Sequence, residues 1–164
     1  MIETWTWTRG VGTDIDPIVQ LAQSNYEQEV TPFFTIDPLI FGRNVALDIV
    51  KQFYNPLDGL VCVARDNATN DLMAYTWAER NRSSFWSNDE MVNVNMAHVD
   101  LNQSSRVRVR LVEQMIDLWE LWAYSTGIKI ICSSTVRDDQ QAFLKLHTRK
   151  GYTVRGSIAY KRLI

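Results

Sequence analysis

Apolar and polar positions alternate over residues 2–8, which predicts a strand carrying Trp5 and Trp7 on one face. Gly10 and Gly12 break that run. Asp14 or Asp16 can then cap a helix, Pro17 suits its first turn, and Ile18, Leu21, Ala22 and Tyr26 follow at helical spacing. Pro32 ends the region. A second helix is predicted from Asp37-Pro38 to about Tyr54, with Leu39, Ile40, Val45, Leu47, Ile49, Val50 and Phe53 as its apolar positions and Gly42 as a point where it bends or breaks. From Gly59 the period changes. Leu60–Ala64 is a short apolar run, Asp66–Asp71 is dense in turn residues, and Leu72–Ala78 is a second run, so the pair predicts a β-hairpin. After a polar loop at Asn81–Asp89, Met91–Leu101 predicts a third strand. Its apolar positions do not hold one phase, which calls for a bulge or kink.

Residues 105–126 give the clearest helix, with Leu111, Val112, Met115, Ile116, Leu118, Trp119 and Trp122 in one stripe and Gly127 as its stop. Ile128–Cys132 predicts a buried strand. Asp138 or Asp139 opens a short helix through Ala142, Phe143, Leu146 and Lys150, ended by Gly151. Tyr152–Arg155 and Ile158–Leu163 predict two last strands joined at Gly156-Ser157.

That order (β, α, α, β, β, β, long α, β, α, β, β) resembles the GNAT superfamily of acetyl-CoA-dependent N-acetyltransferases from end to end. The most specific local match is Ala142-Phe143-Leu144-Lys145-Leu146-His147-Thr148-Arg149-Lys150-Gly151-Tyr152. It looks like the family's helix–Gly–aromatic segment, in which the residue four before the glycine is a Tyr or, in some members, a His; here it is His147. The resemblance implies one α+β domain over residues 1–164, built on a central, mixed but mostly antiparallel sheet flanked by about four helices.

It also implies acetyl-CoA as cosubstrate and an amine as acceptor, either a small molecule or a protein. The family's phosphate motif, Arg/Gln-x-x-Gly-x-Gly/Ala, belongs between the third strand of this block and the long helix. There the pyrophosphate rests on free backbone N–H groups, and glycines let the backbone come close. This chain has Gln103-Ser104-Ser105-Arg106-Val107-Arg108-Val109-Arg110, and neither register supplies a glycine. With Gln103 first, Arg106 and Arg108 take the small positions; with Ser104 first, Val107 and Val109 do. Either Ser104 or Ser105 caps the helix and Arg106, Arg108 and Arg110 meet phosphates from the side, or Val107 packs down and the arginines form a solvated face over a closed site. A basic first turn opposes the helix dipole unless an anion sits there. The cofactor contacts implied are Val99, Leu101, Gln103, Ser104, Ser105, Arg106, Val107 and Arg108.

Acetyl transfer needs a deprotonated amine, a donor on the thioester carbonyl and an acid for the departing thiolate. By its match to the family position, His147 is the candidate acid, with partial burial as an ordinary helix residue as the other reading. His98 and Asp100, late on the central strand, are candidates to relay the proton of the amine, and Glu79 is a third. Trp86, in the polar loop, is a candidate interface anchor.

Composition narrows the classes further. The formal charge of −2 gives no electrostatic case for nucleic acid or an anionic membrane surface. No apolar run approaches a bilayer span, and the start lacks the basic-then-apolar layout of a secretory signal. Cys62 and Cys132 sit in apolar runs with no zinc or redox spacing, so both are expected to be buried free thiols and no metal is expected. The expected location is cytoplasmic, in a host cytoplasm or a virion if the chain is phage-encoded. The rival to an acyltransferase is a non-catalytic GNAT-fold structural or interaction protein, such as a component of a phage particle. A homo-oligomer or larger assembly stays open under either reading.

Overall fold

A computed structural model describes residues 3–29, 34–84, 87–137, 140–156 and 161. Among these, five strands form one sheet in the order β1-β2-β3-β4-β5. These are β1 (Trp5–Arg9), β2 (Gly59–Asp66), β3 (Leu72–Ser84), β4 (Ser87–Val99) and β5 (Ile130–Cys132). The first four pair antiparallel and β5 joins β4 in parallel. The helices are α1 (Ile15–Glu29), α2 (Pro38–Tyr54), α3 (Ser105–Thr126) and α4 (Gln141–Arg149), with a short 3-10 turn at Gly12–Asp14 before α1.

The sheet separates two cores. On one face, α3 lays Leu111, Met115, Ile116, Trp119 and Trp122 against Trp5, Leu60, Cys62, Ala74, Ala78 and Val92. On the other, Ile18 and Ala22 of α1 and Val45 and Ile49 of α2 close over Val61, Val63, Tyr75 and Trp77. Trp5 and Trp7 do share a face, because both indoles donate to Oε1 of Gln114 on α3, at 2.7 and 2.9 Å.

α2 is a single helix and does not break at Gly42. Asp37 caps it, accepting from the N–H groups of Leu39 and Ile40 at 3.0 and 3.1 Å. The glycine has a packing reason instead. A Cβ there would stand 3.3 Å from Cγ2 of Val19, so its absence lets α2 lie close on α1. Gly127 ends α3 in the left-handed conformation (φ 74°), as a C-terminal cap requires.

Three expectations need correction. The polar stretch 81–89 is not a loop: β3 runs to Ser84 and β4 starts at Ser87, and the pairs Asn81↔Met91 and Ser84↔Ser87 extend one long hairpin. An Arg80–Glu90 ion pair with a 2.9 Å contact holds it at the surface, where polar side chains suit a strand as well as a loop. Trp86 lies outside the described residues. Cys132 is exposed, since β5 has no further strand beside it among the described residues; Cys62 is buried, and burial pushes its thiol up to about 11. Tyr152–Arg155 form no strand. Gly151 (φ 84°) and Gly156 (φ 85°) turn the chain at both ends of that run, and the run 158–163 expected to pair with it lies outside the described residues apart from Lys161. Of the apolar positions of α2, Val45 and Ile49 are buried, whereas Leu39, Ile40, Leu47, Val50 and Phe53 are exposed.

Candidate active site

The sequence irregularity in β4 becomes a bulge. Trp77 faces Met96 and Ala78 faces Val94, so Asn95 is the extra residue. On the other side of β4 the ladder to β5 covers only Met91↔Ile130, Val92↔Ile131 and Asn93↔Cys132. β4 then continues through Val99, still paired with β3 but no longer with β5. Beyond Asn93 the backbone groups of β4 on that side have no β5 ladder partner among the described residues.

The chain leaves β4 through a tight turn. Asp100 donates its N–H to the Met73 carbonyl at 2.7 Å, fixing the end of β4. Its carboxylate accepts from the Asn102 N–H (3.0 Å), Asn102 Nδ2 (3.0 Å) and Gln103 Nε2 (2.8 Å). Asp100 is thus the organiser of an Asx-type turn, and Gln103 spends its amide inside it. Ser104 caps α3: its hydroxyl accepts from the Val107 N–H at 3.4 Å, and its carbonyl takes the Arg108 N–H at 3.0 Å. The N–H groups of Ser105 and Arg106 lie ahead of the first helical bonds, at the positive end of a helix of 22 residues.

The arginines of this turn divide into three situations. Arg110 is held by Glu3 at 2.9 Å, with Glu113 at 3.7 Å. Arg108 folds back on its own helix, donating to the Ser105 hydroxyl at 3.3 Å, and its Nε is buried without a partner. Arg106 is exposed and makes no ion pair among the described residues. Val107 packs onto the core, as does Leu101, while Val99 is buried outright. The Val99 carbonyl is taken by Nδ2 of Asn25 on α1, at 3.0 Å. The glycine-free motif therefore keeps an open helix start but holds its hydrophobic side chain inward. Arg106 stays exposed there, without an ion pair among the described residues.

His147 and His98 are not brought together, because they lie on opposite faces of the sheet. His98 shares a 2.7 Å hydrogen bond with the Tyr75 hydroxyl on the α1 side and meets the edge of Tyr26, with ring centroids 6.1 Å apart. Burial, helped by the Arg137 charge, pulls its pKa down to about 3, so it stays neutral at physiological pH. A base that weak does not collect a proton from an ammonium. Glu79 sits within β3, opposite Gly59 and Asn93, away from the end of β4.

His147 packs on α3, its ring 3.9 Å from Phe143, 5.0 Å from Tyr152 and 6.4 Å from Trp119, centroid to centroid. Its Nδ1–H donates to the Phe143 carbonyl at 2.9 Å, which leaves Nε2 as a bare lone pair, buried and without a partner. Burial also lowers its pKa. In this tautomer His147 accepts hydrogen bonds and does not supply an acidic proton. The proton in that corner belongs to Tyr152, whose hydroxyl is buried and equally unpartnered, with a pKa pushed up to about 12 by burial and by Glu120 and Asp117. The residue-type pattern did not single out Tyr152. The clue in the sequence was its place directly after Gly151 in the helix–Gly–aromatic segment.

The corner is linked to the central strand. Trp119, stacked on His147, donates to Oγ1 of Thr76 at 2.7 Å, and Thr76 donates to the Met96 carbonyl at 3.2 Å, one residue beyond the bulge. Among the described residues no group of three metal-ligating side chains forms, and no helix is long and apolar enough to cross a membrane.

No family model matches the chain, and no curated protein matches it in sequence. Solved structures do match, over nearly their whole length. Glucosamine-6-phosphate N-acetyltransferase from Arabidopsis thaliana is 14% identical, with a TM-score of 0.64, and the match covers 99% of this chain and 100% of that one. The aminoglycoside acetyltransferase AAC(6')-Iy, solved with the bisubstrate analog CoA-S-monomethyl-acetylneamine, is 13% identical with a TM-score of 0.69 and 99% coverage of both chains. AAC(6')-Ih from Acinetobacter baumannii, an aminoglycoside antibiotic 6'-N-acetyltransferase, is 15% identical with a TM-score of 0.63, covering 98% of this chain and 99% of that one. The chain has the GNAT acetyltransferase fold.

Proposed function

We propose that this protein is an N-acetyltransferase that moves the acetyl group of acetyl-CoA onto a small-molecule amine. The observation that carries the reading is the loss of the β5 ladder after Asn93 while β4 runs on to Val99 and into the turn that starts α3. Solved structures of the same fold that hold CoA ligands support it, as does AAC(6')-Iy with its analog of both substrates. The phosphates would meet the N–H groups of Ser105 and Arg106 and the Arg106 guanidinium, charge-assisted contacts standing in for the missing glycines.

In the reaction a neutral amine attacks the thioester carbon, the C–S bond breaks as the N–C bond forms, the sulfur leaves as thiolate, and the proton shed by the amine nitrogen passes to that thiolate or to water. The Tyr152 hydroxyl serves as hydrogen-bond donor to that sulfur. With a pKa near 12 it stabilises the thiolate without surrendering its proton outright. His147 Nε2 offers a free acceptor in the same corner. His98, neutral and bonded to Tyr75, shapes the α1 side of β4. A second reading, a GNAT-fold module without catalysis, is favoured by one observation. The Arg108 side chain folds inward at the helix start, where the family's glycines would leave room.

Calorimetric titration with acetyl-CoA, followed by thiol release against a panel of amines, separates the two. Micromolar binding with amine-dependent release of CoA is the expected result. No heat at millimolar acetyl-CoA would overturn the reading.

A further inference from the structure

Thr76 is fully buried in β3, and its two hydrogen bonds place it between the long helix and the bulged strand. Its Oγ1 accepts from the Trp119 indole at 2.7 Å and donates to the Met96 carbonyl at 3.2 Å. The direction of that carbonyl follows from the ladder. Asp100 donates its N–H to the Met73 carbonyl at 2.7 Å, one step beyond the pair Ala74↔Val99, so Asp100 and Met73 form a hydrogen-bonded pair. Antiparallel strands alternate such pairs with unbonded ones. The backbone groups of His98 and Met96 therefore turn toward β3, and those of Val99 and Ala97 turn away from it. The Val99 carbonyl bears this out, since it is met by Asn25 of α1 at 3.0 Å. A trans peptide is planar, with its C=O and N–H pointing in opposite directions. The Met96 carbonyl and the Ala97 N–H belong to one such unit. Thr76 holds the first on the β3 side, and the second faces the side where β5 pairs only as far as Asn93. There the Ala97 N–H has no ladder partner among the described residues.

We propose that Thr76 is a positioning residue for acetyl transfer: with Trp119 behind it, its hydroxyl holds the 96–97 peptide so that the Ala97 N–H donates to the carbonyl oxygen of the thioester. The proposal rests on the acetyltransferase reading above and adds to it the side chain that sets the carbonyl donor. The series Trp119 N–H, Thr76 O–H, Met96 C=O has two effects. The first is geometric. The extra residue Asn95 loosens the strand just before this unit, and a side-chain bond to its carbonyl removes that freedom. The second is electronic. Hydrogen bonds in series polarise one another, so a carbonyl that accepts one makes the N–H of its own peptide a stronger donor. Such a donor counts most as the amine adds and negative charge moves onto the thioester oxygen, because it is aimed in advance. Thr76 is buried, so it acts through this peptide and not by touching a substrate. A serine keeps the hydroxyl, whereas a valine keeps the shape and loses both bonds.

Nuclear magnetic resonance of the full chain with acetyl-CoA, followed by steady-state kinetics on the best amine of the thiol-release panel, tests it. The Ala97 amide proton is expected to move downfield on adding acetyl-CoA, and by more than on adding CoA, which lacks the thioester carbonyl. Thr76→Val is expected to lower kcat about tenfold or more, with KM for both substrates within about twofold, and Thr76→Ser to stay within about threefold of the parent. A purely structural role predicts a different result, a loss that appears in KM and disappears well below the melting midpoint. Thr76→Ala, which leaves the stranded indole N–H room for a water, makes the same comparison if Thr76→Val misfolds. An Ala97 amide unmoved by bound acetyl-CoA, a hydroxyl-free variant as active as the parent, or Thr76→Ser as impaired as Thr76→Val would each overturn the proposal and leave the acetyltransferase reading standing. Absence of acetyl-CoA binding or of turnover in the parent would overturn both.

Discussion

Tyr75 and His98 share a 2.7 Å hydrogen bond in a place where neither ring reaches water, the first from β3 and the second from β4. Burial holds the Tyr75 hydroxyl well above its ordinary value and holds His98 far below its own. In the unfolded chain His98 titrates near 6.5, and in the folded chain near 3, so between these values the unfolded state binds more protons. The stabilisation is therefore complete above about pH 6.5 and lost progressively as pH falls toward 3. Urea denaturation at pH 7, 6, 5 and 4 should show a falling midpoint, and His98→Gln should flatten that slope. A wild-type midpoint constant from pH 7 to 4 would contradict the burial argument.

Tyr152 separates function from stability. Its hydroxyl is buried without a partner, so Tyr152→Phe should leave stability unchanged or raise it by about 1 kcal/mol, as judged by thermal melting. The same substitution should lower kcat about 100-fold with little change in KM for the amine. A variant as active as the parent would remove Tyr152 from the reaction. His147→Phe with full turnover would do the same for His147.

Arg106 is the exposed cation at the open end of α3. Arg106→Glu is expected to weaken acetyl-CoA binding tenfold or more by titration calorimetry, and Arg110→Gln, already occupied with Glu3, much less. Equal losses at the two positions would mean a general field effect and not a contact.

Asp100 holds a turn, and Asp100→Asn keeps the acceptor oxygen that the turn needs. Turnover within a few-fold of the parent is expected, whereas Asp100→Ala should shift the start of α3 and weaken acetyl-CoA binding. A 100-fold loss in Asp100→Asn would instead identify the carboxylate as the base.

Thr76→Val keeps the volume but strands the Trp119 indole N–H in the core. A cost of about 1–3 kcal/mol is expected in chemical denaturation.

The chain shows much of this in its pattern and hides a specific remainder. Gly127 and the apolar stripe from Leu111 to Trp122 fix α3, and the broken phase of Met91–Val99 announces the bulge at Asn95. These are legible because they follow from local geometry. The long hairpin is hidden because Asn81, Arg82 and Ser84 are polar, turn-prone residues, and only the strand opposite them makes a ladder. The exposure of Leu39, Leu47 and Phe53 on α2 is hidden because periodicity identifies an apolar side without saying what covers it. In the candidate site, the cap at Ser104 follows from residue type, whereas the Asn25–Val99 contact joins residues 74 positions apart and no spacing rule could find it. The tautomer of His147 depends on one carbonyl, that of Phe143, within hydrogen-bond reach.

Two ion pairs, Arg149 with Glu113 and Lys150 with Asp117, tie the end of α4 to the middle of α3, and the His147 ring lies on Trp119 between them and the sheet. α4 is thereby docked on α3 by contacts on both its outer and its buried side, which fixes the aromatic corner of His147 and Tyr152 relative to the long helix.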